Sequence, residues 1–120
     1  MAPAGMGKVL FANSGSEAND AAVKLAWYVN NAVARPQKKK ISSRKRAYHG
    51  VTVAAAGLTG LAFAHDDFDL PIERILHADC PDYYRGAQPG ESEEAFAARL
   101  AGDLEQLILH EGPDTVPGRC

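Results

Sequence analysis

Short apolar runs alternate along the chain with longer stretches in which apolar residues recur every three or four positions. The short runs predict strands, and the stretches at helical spacing predict helices. Lys8–Ala12, KVLFA, predicts a first strand, apolar enough to be buried on both faces. A helix is expected from about Ser16 to about Ala34, stopped by Pro36. Ala18, Ala21, Ala22, Leu25, Val29 and Ala32 form one stripe on it, small enough for close packing on a sheet, and Trp27 and Tyr28 read as packing residues. Lys40–Ala47 predicts a second strand, edge-like because it is so polar. Val51–Thr59 predicts a short Ala-rich helix ended by Gly60. Leu61–Pro71 reads as a loop, Glu73–Asp79 as a third strand and Cys80–Gly90 as another loop. Glu91–His110 predicts an amphipathic helix burying Phe96, Leu100, Leu104, Leu107 and Ile108. Glu91, Glu93 and Glu94 suit its first turn, and Gly112-Pro113 ends it.

Strand–helix alternation implies an α/β fold with helices on the faces of a sheet. Three strands make an incomplete sheet, so the 120 residues read as part of a domain, marginal or aggregation-prone in isolation. Composition agrees with a globular chain: 46% hydrophobic and 23% charged residues argue against wholesale disorder. No apolar run approaches a membrane span, and the start carries no signal-peptide pattern. Cys80 and Cys120 make neither a disulfide framework nor a metal pair, so a reduced, cytoplasmic location is expected.

Charge is informative through its distribution. Arg35–Arg46 holds seven of the 13 Lys and Arg residues, whereas the stretch from Asp66 to Asp114 holds 13 acids against Arg74, Arg85 and Arg99. A basic block can bind nucleic acid, but a solvated turn is the commoner outcome and no nucleic-acid module or interleaved aromatic set accompanies it. Asp66, Asp67 and Asp69 lack the regular ligand spacing of a hard-cation loop, so solvated charges are expected there and no metal site.

The candidate chemistry lies at Asn13-Ser14-Gly15-Ser16-Glu17, between the first expected strand and helix. A helix start offers unpaired N–H groups and partial positive charge. Gly15 lets the backbone approach a ligand, and Ser14 and Ser16 add hydroxyls, so the turn has the makings of an anion cradle. Ser14 and Glu17 also fit the capping-box spacing, which explains both residues with no ligand. The turn matches neither the Walker A loop nor the dinucleotide glycine fingerprint. Tyr48-His49-Gly50, at the end of the second expected strand, reads either as a packed pair or as part of a site.

Phe11-x-Asn13-Ser14-Gly15-Ser16-Glu17-Ala18-Asn19-Asp20, then Lys24-Leu25 and Tyr48-His49-Gly50-x-Thr52, resembles class III pyridoxal-phosphate-dependent aminotransferases. WYVNNAVARPQKKKISSRKRAYHGVT and RILHADCPDYYR are similar to the omega-transaminase or pyruvate-transaminase subgroup, and the likeness runs from about Ala2 to Val116. It implies a fold-type I transferase large domain, of which residues 1–116 are a part, followed by an off-pattern tail at 117–120. It implies pyridoxal 5'-phosphate as cofactor, an amine or amino-acid donor, a keto-acid acceptor such as pyruvate, and a homodimer. By the resemblance Ser14, Gly15 and Ser16 hold the cofactor phosphate, Tyr48 stacks on the pyridine ring, and His49 and Gly50 accompany it. Glu17, Asn19 and Asp20 match the motif but read as capping and packing residues.

The family's pyridinium-pairing aspartate and Schiff-base lysine have no counterpart here, and Lys24 stands where the family does not use one. No catalytic residue is therefore expected among these residues, and no turnover from them alone. Two other readings stand beside this one: a truncated, non-catalytic product with weak cofactor binding, and a basic module resting on Arg35–Arg46.

Overall fold

The computed structural model describes residues 4–117. Among them, β1 (Ile41–Arg44) and β2 (Ile75–Ala78) pair in parallel, Ile41 opposite Ile75 and Arg44 opposite Ala78. Parallel strands cannot be joined by a hairpin, so the chain must cross over between them. Residues 45–74 make the crossover and carry α2 (Val53–Leu58) and a 3-10 turn at Ala62–Ala64. α1 (Gly15–Ala32) precedes the pair; one turn of helix, α3 (Tyr83–Gly86), and α4 (Glu93–Glu111) follow it. Val23 of α1, Leu58 of α2 and Ile75 of β2 form the buried core, with Trp27, Ile41 and Ile72 packed against it. Each of those three side chains contributes about 1.5–3 kcal/mol by leaving water. Phe96 and Leu100 of α4 are buried, Phe96 edge-on to Tyr83 with ring centroids 5.5 Å apart. Leu104, Leu107 and Ile108 continue that stripe half-buried, as the periodicity predicts.

The expected first strand is absent. Residues 8–12 form no ladder, and Val9, Leu10 and Phe11 are 68%, 69% and 90% exposed. A strand needs a partner for its backbone groups, and among the described residues none pairs with residues 8–12. The expected buried stripe of α1 also faces out: Ala18, Ala22, Leu25, Val29 and Ala32 are exposed. The inward side carries Ser16, Asn19, Asp20, Val23, Ala26, Trp27 and Asn30 instead, because polar partners in the crossover decide which face packs.

The second expected strand stops at Arg44 rather than Ala47, because Arg46 takes a left-handed conformation (φ 66°) that turns the chain. Gly60 has a different role from the helix stop expected of it. α2 ends at Leu58, and Thr59 continues in extended backbone (φ −62°, ψ 122°). Gly60 then bridges Lys45: the Arg46 N–H donates to Gly60 O at 2.6 Å, and the Gly60 N–H donates to Ala47 O at 2.8 Å. A Cβ on Gly60 would stand 2.7 Å from Lys45 Cα and 2.8 Å from Arg46 N, so only glycine fits.

Two histidines close on the far end of α2. His65 Nε2 lies 3.0 Å from Ala56 O and His77 Nε2 3.2 Å from Leu58 O, their ring centroids 5.5 Å apart. Burial, ahead of the other influences, holds His77 below the ordinary histidine value. The loop expected at 80–90 holds α3, and the last helix starts two residues later than expected, capped by Ser92 Oγ on the Ala95 N–H. Glu91 turns back to receive Arg99 at 2.8 and 2.9 Å through both carboxylate oxygens, and the Gln88 N–H at 2.9 Å. Cys120 and most of the expected tail lie outside the described residues.

Two outcomes follow for stability. Gly60→Ala forces backbone against backbone at the bridge and should destabilise the chain by about 1–3 kcal/mol, read by urea denaturation. Glu91 is held down from 4.5 to about 2, first by the Arg99 hydrogen bond and then by the Gln88 N–H. A depressed carboxyl pKa stabilises the fold above 4.5, a contribution lost as pH falls from there toward about 2. Carboxyl NMR of Arg99→Met should show Glu91 titrating back toward 4.5; titration still near 2 would refute the pairing.

Candidate functional site

The Asn13–Glu17 turn opens α1. Ser14 is the N-cap, in extended backbone (φ −151°, ψ 163°), and its Oγ accepts the Glu17 N–H at 3.1 Å. That is one half of the expected capping box. The other half differs: Glu17 Oε2 accepts the Asn13 N–H at 2.7 Å, not that of Ser14. The Gly15 and Ser16 N–H groups occupy first-turn positions that have no acceptor within a helix. Nothing lies within 4 Å of the place a Gly15 Cβ would take, and Asn13, Ser14 and Gly15 are exposed. The turn is open, with room for an anion on its amides.

The Tyr48-His49-Gly50 segment lies against this turn. Ser16 Oγ accepts the Val51 N–H at 3.1 Å. Gly50 has φ 131°, and a Cβ there would sit 2.9 Å from Ser16 Cα, so the two backbones meet only because both conformation and space admit glycine. Asn19 Nδ2 donates to His49 O at 2.7 Å, and the His49 N–H donates to Thr59 Oγ1 at 2.9 Å. Asp20 Oδ1 accepts both the Thr52 hydroxyl, at 2.8 Å, and the Ala55 N–H, at 3.0 Å. Thr59 is 1% exposed, with its hydroxyl 3.0 Å from Ala55 O.

The structure thus brings Ser16, the last residue of the Ser14-Gly15-Ser16 turn, against Gly50 and Val51, and Asn19 against His49. Tyr48 is 64% exposed, its ring at the edge of an apolar groove of about 320 Å³ also lined by Val51, Val53, Phe63 and Phe68. His49 is half-buried and fixed through its backbone. Sequence reasoning left Thr59 and Thr52 without a role and gave Asn19 and Asp20 only a general one. A signal was present: Ser16, Asn19 and Asp20 share a helical face, an improbable set of residues to bury unless each finds a partner.

Six of the seven cations of the basic block are engaged within the chain. Lys38 Nζ donates to Pro113 O, Lys39 to Trp27 O and Asn31, and Lys40 to Glu111; Arg44 donates to Asp79 O, Lys45 to the Asp79 carboxylate and Arg46 to Asp82. Asp66, Asp67 and Asp69 are exposed, and among the described residues no three His, Cys, Asp or Glu are grouped to hold a metal. No helix among them is long and apolar enough to cross a membrane.

Residues 1–117 match the sequence model of the family described as Aminotransferase class-III. The chain is 60% identical over 111 residues to gamma-aminobutyrate transaminase 1, mitochondrial, of Oryza sativa subsp. indica, covering 92% of this chain and 22% of that protein. It is also 60% identical, over 111 residues, to the vanillin aminotransferase of Capsicum frutescens, covering 92% of this chain and 24% of that protein. Among solved structures, the omega transaminase from Pseudomonas jessenii in complex with PMP superposes with a TM-score of 0.95 at 58% identity, over 98% of this chain and 26% of that one. A transaminase W58L variant with SMBA gives 0.94 at 63%, over 98% and 27%. The chain therefore spans about a quarter of the length of the proteins it matches.

Gly50→Ala should cost about 1–3 kcal/mol from its φ alone, with the Ser16 contact added. Urea denaturation should show that loss, and the Val51 amide resonance should shift as its bond to Ser16 opens.

Proposed function

The chain belongs to the class III aminotransferase family, and on that premise we propose that residues 1–116 form part of its cofactor-binding large domain. In this reading Ser14, Gly15 and Ser16 hold the phosphate of pyridoxal 5'-phosphate, Tyr48 covers the face of its ring, and His49 and Gly50 complete that wall. The whole protein would transfer an amino group from an amine or amino acid to a keto acid such as pyruvate. The cofactor, when bound, supplies the electron-withdrawing ring this transfer needs.

The observation that carries the reading is the state of the two serines. Ser14 Oγ and Ser16 Oγ each already accept a backbone N–H, so each hydroxyl proton is free to be donated to a phosphate oxygen. The amides of Gly15 and Ser16 point the same way by their place in the helix, and the aligned peptide dipoles favour an anion there. The phosphate is thus gripped by neutral donors. Tyr48 contributes a flat, accessible surface on a backbone that Asn19 and Thr59 hold. A planar heteroaromatic ring would gain by stacking on it.

We assign no covalent role to any of these residues, so bound cofactor should be removable by dialysis and these residues alone should give no turnover. The homodimer expected of the family is kept in the proposal, since exposed Val9, Leu10, Phe11, Leu25 and Val29 offer the apolar surface an interface uses. For location we retain the cytoplasm, since two cysteines make no disulfide framework, although the rice relative is named mitochondrial.

Gly15→Asp separates an anion site from a mere helix cap. An acid in the first turn of a helix helps the helix. Here it would also place a carboxylate where the phosphate sits. Absorbance titration with pyridoxal 5'-phosphate should show binding weakened about tenfold or more, while urea stability holds or rises. Unchanged binding in this variant, or none in the unaltered chain, defeats the proposal.

A further inference from the structure

The N-terminus of α2 is capped from another helix. Its N-cap, Thr52, makes no side-chain cap bond of its own. In an ordinary cap the Thr52 hydroxyl would accept from the N–H three residues on, that of Ala55. Here that N–H donates to Asp20 Oδ1 of α1, and the Thr52 hydroxyl donates to the same oxygen. Asp20 lies one helical turn beyond Ser16, on the same side of α1. Ser16 takes the Val51 N–H, and Asn19, between them, takes the carbonyl of His49. Three side chains from a single turn of one helix thus hold residues 49, 51, 52 and 55 of a segment 30 to 35 positions away.

We infer that Asp20 is a positioning residue that couples the phosphate turn to the aromatic wall; the inference rests on the cofactor reading above. α1 acts as a template. Its tip carries the anion donors, and its next turn fixes Thr52 and Ala55, hence the position of Val53 and Ala56 in the groove that they line with Tyr48. Asp20 touches neither phosphate nor ring. Removing it should leave the tip intact, because Ser14 still caps α1 and the Gly15 and Ser16 amides still end the helix. What is lost is one of the three ties between α1 and the ring wall, those of Ser16 and Asn19 remaining. A ligand with both a phosphate and a ring should feel that loss, and a bare phosphate should not.

The test compares the unaltered 120-residue chain with Asp20→Ala and Asp20→Asn. The asparagine keeps a carbonyl oxygen where Oδ1 stands and can accept both bonds, whereas alanine cannot. Amide hydrogen exchange reads the tie without cofactor. In Asp20→Ala, exchange at Val51–Ala55 should speed about tenfold while α4 amides stay unchanged, and Asp20→Asn should restore near-normal protection. Titrations with pyridoxal 5'-phosphate and with inorganic phosphate read the coupling: Asp20→Ala should lose about tenfold toward the former and nothing toward the latter. Unchanged exchange at Val51–Ala55, acceleration spread equally into α4, or equal loss for both ligands overturns the inference. Failure of the unaltered chain to bind either ligand overturns the cofactor reading, and the exchange measurement still decides whether Asp20 holds the loop.

Discussion

The crossover between β1 and β2 has to place its backbone groups without a sheet around it. Between Tyr48 and Ala55 the chain makes no ladder, and buried N–H and C=O groups must be paired somewhere. α1 answers that need with side chains. Ser16 and Asp20 take N–H groups, Asn19 takes a carbonyl, and buried Thr59 takes the remaining amide of His49 from the other side. The candidate site depends on this arrangement, since it determines where Tyr48 and Gly50 stand relative to the open turn. It also decides which face of α1 turns inward, at the cost of leaving the small-residue stripe in water.

Two glycines make the arrangement sterically possible, for different reasons. Gly60 allows the strand-end backbone to pass at bridge distance, where any Cβ would meet Lys45 and Arg46. Gly50 both takes a left-handed conformation and clears Ser16. Together they bring the crossover onto the sheet at one end and onto α1 at the other. Charged pairs then complete the periphery. Lys40–Glu111 and Lys45–Asp79 join β1 and its exit to later elements, and Arg99–Glu91 closes the loop before α4. The last is bidentate, the geometry in which such a pair contributes most.

Much of the secondary structure was legible in the residues, with errors of a particular kind. α1, α2, α4, β1 and β2 all appear near their expected places, because helical spacing and short extended runs between turn residues are local signals. Lys8–Ala12 misled: its side chains suit a strand, but pairing needs a neighbour that no property of those five residues supplies. The α1 stripe misled for a related reason. Alanines at helical spacing pack well on a sheet, yet a helix turns toward whichever face gains more, and Ser16, Asn19 and Asp20 gained hydrogen bonds.

Residue types and their order by themselves determined the family, the serine–glycine turn at a helix start, and the order in which Tyr48-His49-Gly50 follows a strand. These are read from local chemistry and motif order, which survive without coordinates. Tertiary structure alone decided that the turn and the Tyr48 segment meet, that Asp20 caps a helix other than its own, and that Gly60 is needed for space rather than for ending a helix. Each of those is a contact between segments far apart in the chain, and hydrogen-bond complementarity across such a distance leaves no periodic trace in either segment.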